Sequence, residues 1–348
     1  MFLSVSGDDE DRRVGRRPRV LKAVGLTLAG ALVAGCAAAG WAYWHLNSNI
    51  KSVDIDSALG DDRPAKATPT PSASQEAPLP TEAVNILVLG SDSRSGKENQ
   101  ALGGGSSTGA RSDTAMVVHI GAGRTTATVV SIPRDTLVTR PSCPLKSGGS
   151  TAVSYGAMFN SAYSVGGPVC AVKTVESITD VRMDHYVEID FSGFAKLVNA
   201  LGGVTVTTDQ DIDDDDSHLR LKAGTHHLDG RTALALARTR HGIGDGSDLG
   251  RIGLQQKLVK ALLERISSTS LLTSPAKLYS VADAITGSLT TDTGLDSLTE
   301  LMSLGESLKG LSADDVKTVT MPVVTAPSDP NRVVAEEPAA RELWESLR

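Results

Sequence analysis

Residues 84–90, VNILVLG, followed by SDSR at 91–94, decide the fold. A short apolar run that enters a Gly/Ser/Asp loop reads as a buried strand delivering a functional loop at its carboxyl end. Downstream, 115–120 and 126–132 are two further β-rich runs, joined by Gly121-Ala122-Gly123 as an expected hairpin. Helical patterns follow at 169–179, just after Pro168, and at 191–201, which stops at Gly202-Gly203 as a helix should. Strands expected at 185–190 and 204–207 bracket the second helix and form a β-α-β unit. RTALALAR at 231–238 and residues 251–266 read as helices, 274–286 and 295–308 are amphipathic, and 316–322 reads as a final strand. Strands interleaved with helices imply an α/β protein, a three-layer α/β/α sandwich with a mixed central sheet.

Composition sets the outer bounds. The chain has 348 residues, 34 basic against 41 acidic side chains and a net charge of -7, with only 3 Trp, 5 Tyr and 4 Phe. A packed core is feasible at this length, and an acidic, aromatic-poor chain argues against a nucleic-acid partner, which calls for a basic face and stacking platforms.

Residues 23–44, AVGLTLAGALVAGCAAAGWAYW, carry no charge, and 22 residues at about 1.5 Å each match a hydrocarbon core of about 30 Å. Arg12, Arg13, Arg16, Arg17, Arg19 and Lys22 precede this stretch, and Trp41, Tyr43 and Trp44 close it as an interfacial belt. The expectation is one uncleaved transmembrane helix with its amino terminus cytoplasmic and the remainder extracytoplasmic. A cleaved signal peptide and a lipoprotein box at Val33-Ala34-Gly35-Cys36 are the competing readings. The expected organisation is therefore 1–22 basic and cytoplasmic, 23–44 transmembrane, 45–83 a Pro/Ser/Thr-rich spacer and 84–348 the folded exported domain. Within the exported part Cys143 and Cys170 stand 27 positions apart where oxidation is permitted. A disulfide between them is expected, against the alternative of two buried thiols.

Two acidic positions stand out, Asp92 directly after the first strand and Asp113 directly before the next. Two carboxylates with substrate oxygens and water suit Mg²⁺, although Asp after a strand is also an ordinary turn former. A basic set accompanies them: Arg111, Arg134 in SIPRDT, Arg238 and Arg240 in ARTRH, and Arg251 with Gln255 in GRIGLQQ. Arg251 and Gln255 share a helix face, whereas Arg238 and Arg240 can meet one ligand only if the helix ends between them. Guanidinium forks match phosphate oxygens, so an anionic ligand of phosphate type competes with plain surface ion pairing. The acidic run 213–216 reads as a solvated loop, and His226, His227 and His241 show no metal spacing.

Taken in order, NILVLGSDSR, RSDT, SIPRDT, NSAYSVGGP, FSGFAKLVNALGGV, LDGRTALALARTRH and DLGRIGLQQ resemble the LytR-CpsA-Psr family of bacterial cell-wall ligases, over about residues 84–266. The resemblance implies an extracytoplasmic enzyme that takes a polyprenyl-pyrophosphate-linked glycopolymer as donor and a peptidoglycan hydroxyl as acceptor. It implies Mg²⁺, with Mn²⁺ as the alternative, on Asp92 and Asp113. It also implies a pyrophosphate grip by Arg134, Arg238, Arg240, Arg251 and Gln255, with Arg111 close by. Asp248, three before Arg251, is the candidate general base, the other reading being an ion-paired carboxylate. Pyrophosphate hydrolysis and a non-catalytic lipid-binding regulator are the alternative functions. Two departures stand out: Leu254 where many members carry Arg, and Met158 where many carry Lys. Helix faces within 191–201, 254–266 and 274–286 are the expected walls of a lipid groove.

Overall fold

The computed structural model describes residues 17–66, 82–91, 112–145, 147–240, 248–268 and 274–348, with side chains described except at 17–26, 28, 112, 113 and 268. The chain forms two compact units, Met1–Ser48 and Asn49–Arg348. The first is built on one helix, α1 (Arg17–Asn49), whose 33 residues span about 50 Å. Among the described residues, no helix is long and apolar enough to cross a membrane. The span expected at 23–44 begins at positions whose side chains lie outside the described residues.

The second unit runs β1 (Lys51–Val53), α2 (Ile55–Leu59), β2 (Val84–Ser91), β3 (Ser112–Ile120), β4 (Ala127–Ser131), β5 (Leu137–Arg140), β6 (Ser154–Met158), α3 (Ser161–Thr179), β7 (His185–Asp190) and α4 (Phe191–Ala200). It continues with β8 (Val204–Thr208), β9 (Ile212–Asp214), β10 (Leu219–Leu221), β11 (Gly224–Leu228), α5 (Gly230–Arg238), α6 (Asp248–Ser268) and α7 (Pro275–Thr286). The remainder is β12 (Leu289–Asp292), α8 (Leu298–Ser307), β13 (Val316–Thr320), β14 (Val323–Ala326), β15 (Asp329–Ala335) and α9 (Ala339–Glu345).

Seven strands make the main sheet, in the order β1-β12-β7-β2-β3-β4-β13. It is mixed: β2 runs parallel to β7 and antiparallel to β3, and β4 runs parallel to β13. Alternation along β2 sends its residues to two cores. Leu87 and Leu89 join Val117, Val130 and the α3 residues Val172 and Val175, while Ile86 and Val88 pack with Ile120 and with Leu304 of α8. Helices therefore cover both sheet faces. A third core joins Val198 of α4, Val204 and Val206 of β8, Leu236 of α5 and Leu258 of α6.

Several sequence expectations need correction. β8 does not extend the main sheet; it pairs with β11 in a separate ribbon, so β7-α4-β8 is not a β-α-β unit of one sheet. The helix expected at 169–179 after Pro168 is present, but a further helical stretch from Ser161 precedes it within α3, the two being joined across a break at Gly167 (φ 65°, ψ -154°). β13 is not the final strand, since β14, β15 and α9 follow. Nor is 45–83 a spacer throughout. Lys51–Val53 pairs with β12, and Arg63 is buried, its guanidinium bonded to Glu176 and, at 2.7 Å, to the Met183 carbonyl.

Cys143 and Cys170 are joined by a disulfide, Cα to Cα 5.2 Å, and both are fully buried. Gly166 leaves room for it, because a Cβ there would lie 2.6 Å from the Cys170 Cβ. Closing a loop of 27 positions restricts the unfolded chain by about 3.5 kcal/mol. Replacing both cysteines by serine should lower unfolding free energy by about that amount in a urea titration; an unchanged midpoint would contradict it.

Candidate active site

A cavity of about 530 Å³ opens over the carboxyl ends of β2 and β7. Val88 and Gly90 of β2, Thr114 and Met116 of β3, and Val187 and Ile189 of β7 form its floor. Its walls come from Phe194 and Leu197 of α4, Leu234 of α5, and Leu258, Val259 and Leu262 of α6. The expectation of α4 and α6 as walls agrees with this lining; α7 contributes nothing to it, and α5 takes that place.

Local sequence signals place these helices. Asp190 ends β7 and caps α4, its carboxylate accepting the Gly193 amide at 2.7 Å. Asp229 caps α5 in the same way through the Thr232 amide at 2.8 Å, and hydrogen bonds from the Thr232 amide and hydroxyl hold the Asp229 carboxyl below its ordinary value.

The basic residues gather at one end of the cavity. Arg238, Arg240, Arg251 and Gln255 all line it. Arg238 is the last residue of α5, with its guanidinium 4.8 Å from the Phe191 ring centroid. Thr239 is extended (φ -57°, ψ 131°), so the chain leaves the helix between the two arginines and lets both face one space. Arg251 and Gln255 sit one turn apart on α6, both buried. The Gln255 amide donates to Thr114 Oγ1 at 2.9 Å and to the Ala237 carbonyl at 3.0 Å, tying α6 to β3 and α5.

Arg134 follows β4 and does not line the cavity itself. It connects to the rim through Asp248, whose Oδ2 accepts the Arg134 amide at 3.2 Å and whose Oδ1 lies 3.6 Å from Arg134 Nε and pairs with Arg251. Both carboxylate oxygens are thus engaged by arginine groups, the geometry of an orienting ion pair.

Asp92 and Arg111 lie outside the described residues, as does the side chain of Asp113 and the whole of His241. The backbone around them is informative. Gly90 pairs with Thr114 while Ser91 pairs with Ser112, so Asp113 is the extra residue of a β-bulge beside the strand end that precedes Asp92. Among the described residues no group of three or more His, Cys, Asp or Glu could hold a metal. Leu254 is buried in the third core, and Met158 is half-buried in β6.

Two contributors escape a reading of the sequence. Phe191 beneath Arg238 carries no distinguishing pattern. Asp214 does: it shares the inward face of β9 with Ile212, and both are buried.

The model of the LytR_cpsA_psr family matches residues 42–348. The chain belongs to the LytR-CpsA-Psr family. Among its LytR-CpsA-Psr relatives, "Probable cell wall biosynthesis protein LcpB" of Corynebacterium glutamicum is 33% identical over 276 residues, 77% of this chain and 62% of that protein. The polyisoprenyl-teichoic acid--peptidoglycan teichoic acid transferase TagV of Bacillus subtilis is 32% identical over 238 residues, 67% of this chain and 57% of TagV. The aligned part thus spans between half and two thirds of these relatives. A solved structure of TagT bound to LI-WTA superposes with a TM-score of 0.59 at 25% identity, covering 85% of this chain and 97% of that one. The mixed α/β fold with its central mixed sheet is common to these LytR-CpsA-Psr structures.

Proposed function

We propose that this protein is a membrane-anchored, extracytoplasmic phosphotransferase that moves a glycopolymer from a polyprenyl-pyrophosphate carrier to a peptidoglycan hydroxyl. One observation carries the reading: a 530 Å³ apolar cavity ends in Arg238, Arg240, Arg251 and Gln255 in a chain whose net charge is -7. Such a shape suits a molecule with a hydrocarbon tail and a doubly anionic head. The names of TagV as a teichoic acid transferase and of LcpB as a probable cell wall biosynthesis protein support it. Residues 23–44 would be the anchor, with the basic segment 1–22 cytoplasmic.

In this reading the acceptor hydroxyl oxygen attacks the phosphorus that bears the sugar. The bond from that phosphorus to the bridging oxygen breaks, and polyprenyl phosphate leaves. Arg134, Arg238, Arg240 and Arg251 neutralise charge on the non-bridging oxygens, and Arg111 would join them. Asp248 holds Arg134 and Arg251 in register. It can accept the hydroxyl proton once the donor phosphates draw those guanidinium groups away and free a carboxylate oxygen. Asp113, the extra residue of the bulge in β3, and Asp92, next in sequence after β2, are the residues that would hold Mg²⁺ or, second, Mn²⁺. When bound, the ion would offset negative charge on the pyrophosphate.

The test incubates the full chain in detergent with labelled polyprenyl-pyrophosphate-linked polymer, Mg²⁺ and peptidoglycan. Label on the peptidoglycan is the expected result. Free polymer phosphate would instead indicate hydrolysis, and stable binding without turnover would indicate a regulator; either overturns the proposal.

A further inference from the structure

Of the four carboxylates in the run 213–216, only Asp214 is buried, at 1% exposure; Asp213, Asp215 and Asp216 are exposed. An ionised carboxylate is costly to bury unless hydrogen bonds replace its water. Asp214 Oδ1 accepts the amides of Asp216 at 2.9 Å and Ser217 at 3.1 Å, which closes its own turn. Oδ2 does something a turn does not require: it accepts the amide of Arg240 at 2.7 Å, from 26 positions away. That amide has left α5 at the extended Thr239 and has no helical carbonyl to bond.

A second thread runs alongside. Thr239 Oγ1 donates to the Ala235 carbonyl at 3.0 Å, which leaves the Ser217 hydroxyl to donate to Thr239 Oγ1 at 2.9 Å. Both residues are buried, Thr239 completely. The turn at 216–217 and the backbone of Arg240 are thereby locked to each other, and Asp216, Ser217 and Arg240 all line the cavity mouth.

We propose that Asp214 is a positioning residue for the transfer reaction: its buried carboxylate holds the Arg240 backbone where the guanidinium meets the donor pyrophosphate. This rests on the reading of the arginine rim as the pyrophosphate site. Asp214 touches no substrate. It acts by denying Arg240 the freedom a chain segment normally has just after a helix end.

The experiment measures binding of geranylgeranyl pyrophosphate to the full chain in detergent, for the wild type, Asp214→Asn, Arg240→Ala, the double variant and Asp213→Asn. Asp214→Asn keeps volume but replaces an acceptor oxygen with a donor, and should weaken binding about tenfold. In the Arg240→Ala background the same change should cost nothing further, because the group it positions is already gone. Asp213→Asn, on the exposed side of the same strand, should bind as wild type. Equal weakening by Asp214→Asn with and without Arg240 would make the carboxylate merely structural and overturn the proposal. Unchanged or tighter binding by Asp214→Asn would overturn it too, tighter binding being what loss of a nearby anion alone predicts. Should Asp214→Asn fail to fold, Ser217→Ala takes its place in the same cycle: weakening that depends on Arg240 supports the proposal, and weakening that does not, or none at all, overturns it. If Arg240→Ala itself leaves binding intact, it is the pyrophosphate site that fails, and this separates the two claims.

Discussion

Arg134→Ala should lower the rate of polymer transfer by about 10²- to 10³-fold, the usual cost of removing one preorganised group that neutralises charge in a transition state. The fold should survive. Arg134 is a loop residue, and its removal still leaves Asp248 paired with Arg251 and accepting the backbone amide at position 134, so no buried carboxylate is orphaned. Arg134→Lys should fall between, since it restores charge without the planar fork. Steady-state transfer kinetics alongside a thermal melt would check this; near wild-type turnover in Arg134→Ala would remove the residue from the catalytic set.

Gly230→Ala should destabilise the protein by about 3 kcal/mol and raise the KM for the donor. A methyl group at Gly230 would sit 2.0 Å from the Ala195 carbonyl oxygen, 2.7 Å from its carbon and 2.8 Å from its Cα. All three are backbone atoms of α4, so no side chain can swing aside. The amide of Gly230 also donates to Asn199 Oδ1 at 2.8 Å, a second tie between α4 and the start of α5. Both helices line the cavity, through Phe194 and Leu197 on one and Leu234 on the other. Forcing them apart widens the apolar space and shifts Arg238 at the far end of α5. Denaturant unfolding and donor titration measure the two effects, and a wild-type midpoint would show that the helices separate at little cost.

Much of the site was legible because its signals are local. The apolar run of β2, the Gly121–Gly123 turn and the Gly202-Gly203 stop after α4 each announce themselves within a few residues. The need for a helix end between Arg238 and Arg240 followed from helical geometry alone, and α5 ends there. What escaped depends on pairing across long separations. Nothing in Lys51–Val53 says that it aligns with β12, 239 positions away at Lys51↔Thr290. Likewise VTVTT at 204–208 alternates just as a main-sheet strand would, and only its partner β11 assigns it to a separate ribbon. Asp214 was submerged in a run of four acids, where composition says water and only the strand period says otherwise.

The union of β1 with β12 and of Arg63 with Glu176 bears on how a soluble fragment should be cut. A fragment beginning at Val84 would strip the terminal strand from the sheet, uncovering a row of unsatisfied β12 backbone groups ready to template intermolecular pairing. It would also strand Glu176, only 3% exposed, without its guanidinium. The autonomous folding unit therefore starts ahead of Lys51, and a soluble preparation that keeps those residues should stay monodisperse where the shorter one precipitates.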